Sequence, residues 1–326
     1  MKRRTLIGGL AGGLLVGLGG KASRAEQANL KAGDIPKRTF GKTGVELTVI
    51  GLAGGRFPII ASDEEAVALT RRAIDLGINY FDTAHGYWDG HSEEIYGKVL
   101  PEFRDRVFLT TKAADRTRKG AEAQLEQSLK RMKTDYVDLW QVHGIQNKED
   151  VKKVFAPGGA IEAFEAAKKA GKCRFIGFTG HANPEAHLEM LKSYERWDSI
   201  LMPLHIADPL YQSFEERVLP VAVARGMGIQ GMKNFCNAKL LQTFSVKECL
   251  SYVLSLPIHC TALGFTTIGQ LEDDVRIAQA LQPLGADRLA ALRKRAEPLK
   301  GPLLEEWKED ITPKVGMLPR PTYGGG

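Results

Sequence analysis

Cysteine is scarce: four residues in 326, at Cys173, Cys236, Cys249 and Cys260, with no C-x-x-C pair and no metal-ligand spacing among them. That excludes a disulfide scaffold and argues against zinc and iron–sulfur centres. Each cysteine sits in or beside an apolar stretch, so all four are expected as small buried hydrophobes. A long apolar run is missing too. The stretch from Leu6 to Leu18 is too short and too diluted with glycine to span a bilayer as a helix. Nor does one sign of charge dominate. Lys2, Arg3, Arg4, Lys21 and Arg24 are five of the 45 basic residues, and the 40 that remain face 39 acidic ones. Five units of the formal charge of +6 therefore belong to the first 25 residues and one to the rest, and no nucleic-acid partner is expected. What is present is ordinary globular material, 43% hydrophobic and 26% charged, enough for a sizeable core.

The amino terminus explains the charge asymmetry. Arg3-Arg4-Thr5-Leu6-Ile7 leads into the glycine-diluted apolar run, and Ser23-Arg24-Ala25 places small residues where a signal peptidase cuts. The segment resembles a twin-arginine export signal; an ordinary secretory signal or an uncleaved anchor are the alternatives. The expectation is a signal peptide over residues 1–25, read by the twin-arginine export machinery. A linker follows over residues 26–37, and the mature chain is periplasmic or otherwise exported, without stable membrane insertion. Gly17-Leu18-Gly19-Gly20-Lys21-Ala22 matches a dinucleotide fingerprint, but no strand precedes it and it lies within the signal.

Beyond the signal, short β-branched or aromatic runs alternate with longer amphipathic ones, the pattern of βα units and a parallel sheet. Eight strands are predicted: Leu47 to Leu52, Ile78 to Asp82, Val107 to Lys112, Tyr136 to His143, Cys173 to Thr179, Ile200 to Leu204, Gly228 to Met232 and Cys260 to Phe265. The matching helices are Glu64 to Asp75, Ser92 to Leu100, Ala121 to Met132, Ile161 to Ala170, Glu185 to Tyr194, Phe214 to Arg225, Val246 to Leu254 and Leu271 to Leu281. Eight units with no break in composition argue for one closed α/β barrel, a (β/α)8 TIM barrel, over residues 38–311. Turn residues between Arg38 and Leu47 predict an amino-terminal β-hairpin at its bottom. The tail, residues 312–326, is rich in Pro and Gly and reads as irregular.

Such barrels do their chemistry at the carboxyl ends of their strands. Asp82 ends predicted strand two, Tyr87 follows in its loop, Lys112 ends strand three and His143 ends strand four. Charges inside such strands are tolerated when paired, so Asp82 and Lys112 are expected to neutralise each other. A nearby ammonium favours a phenolate, so Lys112 is expected to lower the pKa of Tyr87 and make it a general acid. Asp82 would hold the lysine, and His143 would hydrogen-bond a carbonyl oxygen. No nucleophile is needed. The set points to carbonyl reduction by an external hydride, with a nicotinamide as its source.

Gly77-Ile78-Asn79-Tyr80-Phe81-Asp82-Thr83-Ala84-His85-Gly86-Tyr87, followed by Gly90-His91-Ser92-Glu93-Glu94 and Gly97, resembles the signature of the aldo-keto reductases. The likeness runs from Arg38-Thr39-Phe40-Gly41 through Lys112 and Val137-Asp138-Leu139-Trp140-Gln141-Val142-His143 to Glu272-Asp273-Asp274. It implies a (β/α)8 barrel with an amino-terminal hairpin, a catalytic tetrad of Asp82, Tyr87, Lys112 and His143, and NADPH or NADH bound without a Rossmann domain. On the cofactor side the chain departs from the family. Thr179-Gly180-His181 stands where Ser-Asn holds the carboxamide, and Met232-Lys233 where an aromatic and a serine meet the nicotinamide. Thr179 can still hydrogen-bond, Met232 can pack on a ring, and Lys233 can meet the pyrophosphate. Gly264 to Gln270 carries no base for a 2′-phosphate, leaving Thr266, Thr267 and Gln270 at a helix start. Asp274 replaces the family's Asn and is expected to face a ribose or adenine.

The leading reading is an exported reductase of an aldehyde or ketone. A second is a nucleotide-binding barrel that senses redox state or binds a partner with little turnover, because reductant is scarce in the periplasm. A third, a metal-dependent hydrolase, would draw on His181, His187 and His205, but these lack ligand spacing and no metal is expected. Substrate loops are predicted at Tyr87 to Gly90, Gly144 to Val154 and Ile206 to Phe214, with Trp88, Tyr211 and Phe214 lining an aromatic pocket. No heptad or large apolar stripe argues for an oligomer.

Overall fold

The computed structural model describes residues 34–308, so the predicted signal and the tail from 312 lie outside the described residues. Strands β1 (Lys37–Thr39) and β2 (Glu46–Thr48) pair antiparallel as a hairpin. The next eight strands close a parallel barrel: β3 (Ile50–Ala53), β4 (Tyr80–Asp82), β5 (Phe108–Ala113), β6 (Val137–Val142), β7 (Cys173–Thr179), β8 (Ser199–Pro203), β9 (Gly228–Met232) and β10 (Cys260–Leu263). Each pairs with its neighbours in sequence, and β10 closes onto β3. Helices cover the outside, so β5 and β6 are buried at every position and read as continuous runs without alternation.

The hairpin caps the amino-terminal ends of the strands. Phe40 and Leu47, both fully buried, join Tyr80, Phe108, Leu139 and Cys260 in one core cluster. Phe40 lies under the start of β9, where a Cβ on Gly228 would come within 2.5 Å of its ring, so the plug requires glycine there. All four cysteines are buried and unpaired. Among the described residues no helix is long and apolar enough to cross a membrane.

Three elements differ from their expectation. The run Leu47 to Leu52 is two strands, because the chain turns at Val49 from the hairpin into the barrel; Leu47, Val49 and Ile50 are all buried, so hydrophobicity does not mark the break. The expected helix Phe214 to Arg225 is split into Phe214–Arg217 and Leu219–Ala224, with Pro220, which has no N–H to continue a helix, in the first turn of the second. The expected loop Gly144 to Val154 contains the helix Lys148–Phe155, capped by Asn147, whose side chain accepts from the Asp150 N–H. A further helix, Ala286–Ala296, buries only Leu292 and Ala296 and has little apolar periodicity to announce it.

Candidate active site

Asp82 closes β4 opposite Thr110 of β5, and Lys112, two residues further along that strand, shares its face at the carboxyl end of the barrel. The Lys112 ammonium donates to Asp82 Oδ1 at 2.6 Å, Thr83 O at 2.7 Å and Tyr87 Oη at 3.4 Å, three acceptors for three hydrogens. Both charged side chains are buried. Asp82 Oδ2 accepts from Tyr80 Oη at 3.2 Å, Tyr80 Oη accepts from Gln230 at 2.9 Å, and Gln230 accepts from Gln141 at 3.0 Å. A line of hydrogen bonds thus crosses the barrel interior and ends at Lys112. His143, one residue beyond β6, faces Tyr87 edge-on with ring centroids 5.5 Å apart.

The electrostatics correct one expectation. Burial opposes the Lys112 charge, but Asp82 and Tyr87 more than offset it and hold the ammonium protonated. For Tyr87, burial raises the phenol pKa by more than Lys112 lowers it, so the net shift is upward and the phenol keeps its proton at neutral pH. Burial, with Lys112 and Arg116 adding to it, pushes His143 down to about 3, leaving a neutral imidazole.

Asp82 and Tyr87 open on a cleft of about 450 Å³, whereas Lys112 and His143 do not line it. Asp82, Tyr87 and Trp88 line it from β4 and the loop after it; His181, Met232, Lys233, Thr266, Gln270 and Asp274 line it from β7, β9, β10 and the segments after them. Thr179 and Thr267 do not line it. Thr179 is buried with its Oγ1 unpartnered, and Thr267 caps the helix Ile268–Gln279 by accepting from the Gln270 N–H. The Gln270 side chain in turn accepts from Thr266 N at 2.9 Å, so this helix start is closed by its own residues. Of the expected pocket aromatics only Trp88 reaches the wall; Phe214 is fully buried against His187, and Tyr211 lies elsewhere.

Sequence reasoning missed Arg56. It lies just after β3 with its stem against Gly264, in the stretch where no base was found. Arg56 Nη2 and Lys233 Nζ both donate to Asn237 Oδ1, at 3.0 and 3.1 Å. Burial, and then Arg56, push Lys233 down to about 8. Two cations thus converge on one amide, whose Nδ2 donates to Glu306 at 3.3 Å, and that carboxylate offsets the Lys233 charge only in part. Applying the strand-end rule to β3 would have found this residue.

Among the described residues one cluster has the donor chemistry of a metal site: His205, Asp208 and Glu305, all buried. Lys308 already places its ammonium there, 2.9 Å from Asp208 and 2.5 Å from Glu305.

Residues 54–248, more than half of the chain, match the aldo/keto reductase family. The chain belongs to that family. It is 32% identical over 212 residues to an uncharacterized oxidoreductase of Bacillus subtilis, YqkF, covering 60% of this chain and 66% of that protein. It is 30% identical over 196 residues to the L-glyceraldehyde 3-phosphate reductase of Escherichia coli, covering 55% of this chain and 54% of that protein. With the L-galactose dehydrogenase of Arabidopsis thaliana it shares 27% identity across 82% of this chain and 96% of the other. In the first two the match spans only about half to two thirds of the relative's length. The holo form of the aldo-keto reductase AKR11C1 from Bacillus halodurans has the same fold, with a TM-score of 0.69 at 23% identity over 80% of this chain and 96% of that one. Aldo/keto reductases are oxidoreductases that use nicotinamide cofactors.

Proposed function

We propose that this aldo/keto reductase is an exported, nicotinamide-dependent carbonyl reductase with Tyr87 as its general acid. The observation that supports this best is Lys112, buried between Asp82 and Tyr87, both of which line a cleft that also carries Arg56 and Lys233. A dihydronicotinamide bound in the cleft supplies the hydride. The chain's own residues do the rest. Neutral His143 donates a hydrogen bond to the carbonyl oxygen and orients it. Tyr87 gives its proton to that oxygen, and Lys112 stabilises the phenolate left behind. Asp82 keeps Lys112 charged and in place.

The remaining cleft residues fit the cofactor. Lys233 and Arg56 would take its pyrophosphate, Met232 would pack on the nicotinamide ring, and Asp274 would face a ribose or the adenine. Thr266 and Gln270, which line the cleft, would support the nucleotide at the helix start; Thr179 and Thr267, off its wall, are given no contact with it. The twin-arginine segment would send the folded, loaded protein to the periplasm.

The test starts with residues 26–326 stripped of bound nucleotide and titrated by fluorescence with NADPH and NADH in turn. Saturable binding of either is expected, and the difference between them reads the 2′-phosphate preference. Tyr87→Phe should then lower aldehyde turnover by about 10²- to 10⁴-fold. Binding of neither nucleotide, or undiminished turnover in the variant, would overturn the proposal.

A further inference from the structure

Tyr87 stands on a loop in an unfavourable conformation. Trp88 and Asp89 both have φ of 52°, in the left-handed region, and Gly90 follows at 92°. Non-glycine residues stay there only when their surroundings hold them. The surroundings here are one face of the helix Arg118–Met132, where Gln127 and Arg131 sit four residues apart. The Gln127 amide oxygen meets His85 Nε2 at 2.8 Å. Arg131 donates to His85 O at 3.1 Å and to Asp89 O at 3.4 Å, carbonyls on either side of Tyr87. The guanidinium occupies the space a side chain at position 90 would need: a Cβ on Gly90 would lie 2.1 Å from Arg131 Cζ.

Arg131 is itself fixed. It donates to Glu93 Oε2 at 3.1 Å, and the fully buried Glu93 accepts the Thr111 hydroxyl on its other oxygen at 2.6 Å. Thr111 immediately precedes Lys112 in β5. One network therefore ties the strand that carries Lys112 to the loop that carries Tyr87.

We propose that Arg131, anchored by Glu93, is a positioning residue for Tyr87: its planar fork holds the carbonyls of His85 and Asp89 and so sets the phenol beside Lys112. It touches no reacting atom and acts through the loop. The inference rests on the role proposed above for Tyr87, but its test needs no turnover.

Tyrosine labelled with carbon-13 at Cζ gives a Tyr87 signal, assigned by its loss in Tyr87→Phe. In the native protein burial holds the titration of this phenol above the ordinary tyrosine range. Arg131→Met should shift the signal and displace its titration from the native value, because a released phenol changes both its burial and its distance from the Lys112 ammonium. Where turnover is measurable, kcat should fall about 10- to 100-fold while KM for the cofactor stays within about twofold. Arg131→Lys keeps the charge opposite Glu93 but loses the fork, and should give a smaller change of the same sign. A Tyr87 signal and titration left at the native position in Arg131→Met overturn the inference whatever the turnover; if that variant does not fold, the same reading on Arg131→Lys decides. The reductase reading fails separately, when the native protein reduces no carbonyl while the Tyr87 signal still responds to Arg131.

Discussion

The two sides of the barrel mouth differ in what they leave unsatisfied. Along β4 and β5 the buried charges are matched: Asp82 with Lys112, and Glu93 with Arg131. Around β7, β9 and β10 they are not. Lys233 and Arg56 share a neutral amide, Thr179 Oγ1 has no partner, and burial pushes the Asp274 carboxyl up to about 7. The proton-handling side is complete in itself and so preorganised before any ligand arrives. The other side carries a Lys233 charge that burial penalises and Glu306 offsets only in part, so an anionic ligand relieves it further. Stability should therefore reside in the first side, and ligand affinity in the second.

Removing Lys112 breaks that contrast most sharply. Lys112→Met leaves the Asp82 carboxylate buried without its cation, and breaking a pair of this kind costs about 3–5 kcal/mol. Urea denaturation of the ligand-free protein reads this directly. The same substitution at Lys233 should cost nothing, or stabilise slightly, because it removes a charge that burial already penalises. Equal losses at the two lysines would mean that the sides do not differ in this way.

Lys233 sharpens the comparison from the ligand's side. A hydrogen bond to a charged group contributes about 1.5–3 kcal/mol, so Lys233→Met should weaken dinucleotide binding roughly 10- to 100-fold. pH separates the two effects. With its pKa held down at about 8, Lys233 is charged below that value, and affinity should fall as pH rises through it. Ligand-free stability should move the opposite way. Between about pH 8 and an ordinary lysine pKa of about 10.4 the unfolded chain binds the extra proton, so stability rises with pH over that window. Both trends are read as the difference between the native protein and Lys233→Met, which should show neither.

The barrel was legible because its signal is local. The βα alternation lies in the chain itself, and β7 and β9 have the bounds their apolar runs suggest. Asp82, Lys112 and His143 were legible as polar residues at the ends of apolar strands. The break at Val49 was not, since the residues on either side of it, Leu47, Thr48 and Ile50, are all buried. Arg56 and Arg131 were hidden because their partners lie far off in sequence: Arg56 reaches Asn237, and Arg131 reaches Glu93. The sign of the Tyr87 shift was hidden for a related reason. A neighbouring lysine can be read from a motif, but the burial that outweighs it depends on packing from the whole barrel.

Asp274 carries the smallest expected effect and tests whether the unsatisfied side costs stability at neutral pH. Its carboxyl titrates at about 7 in the folded protein, raised by burial and then by Asp273, against about 3.9 for an ordinary aspartate. Between those values the unfolded chain has lost a proton that the folded one keeps, so stability falls as pH rises from about 4 to 7 and stays lower above it. Asp274→Asn removes this contribution and should flatten the slope, with a gain of about 1 kcal/mol at pH 8 relative to pH 5. That is less than the whole shift implies, because the residue lines the cleft and keeps some contact with solvent. Denaturation curves at the two pH values measure it. If the slope survives the substitution, the cost lies elsewhere on that side. If it disappears, binding of a dinucleotide to the native protein at pH 6.5 should change the protonation of this carboxyl, and the variant should lose that proton exchange in calorimetry run in two buffers.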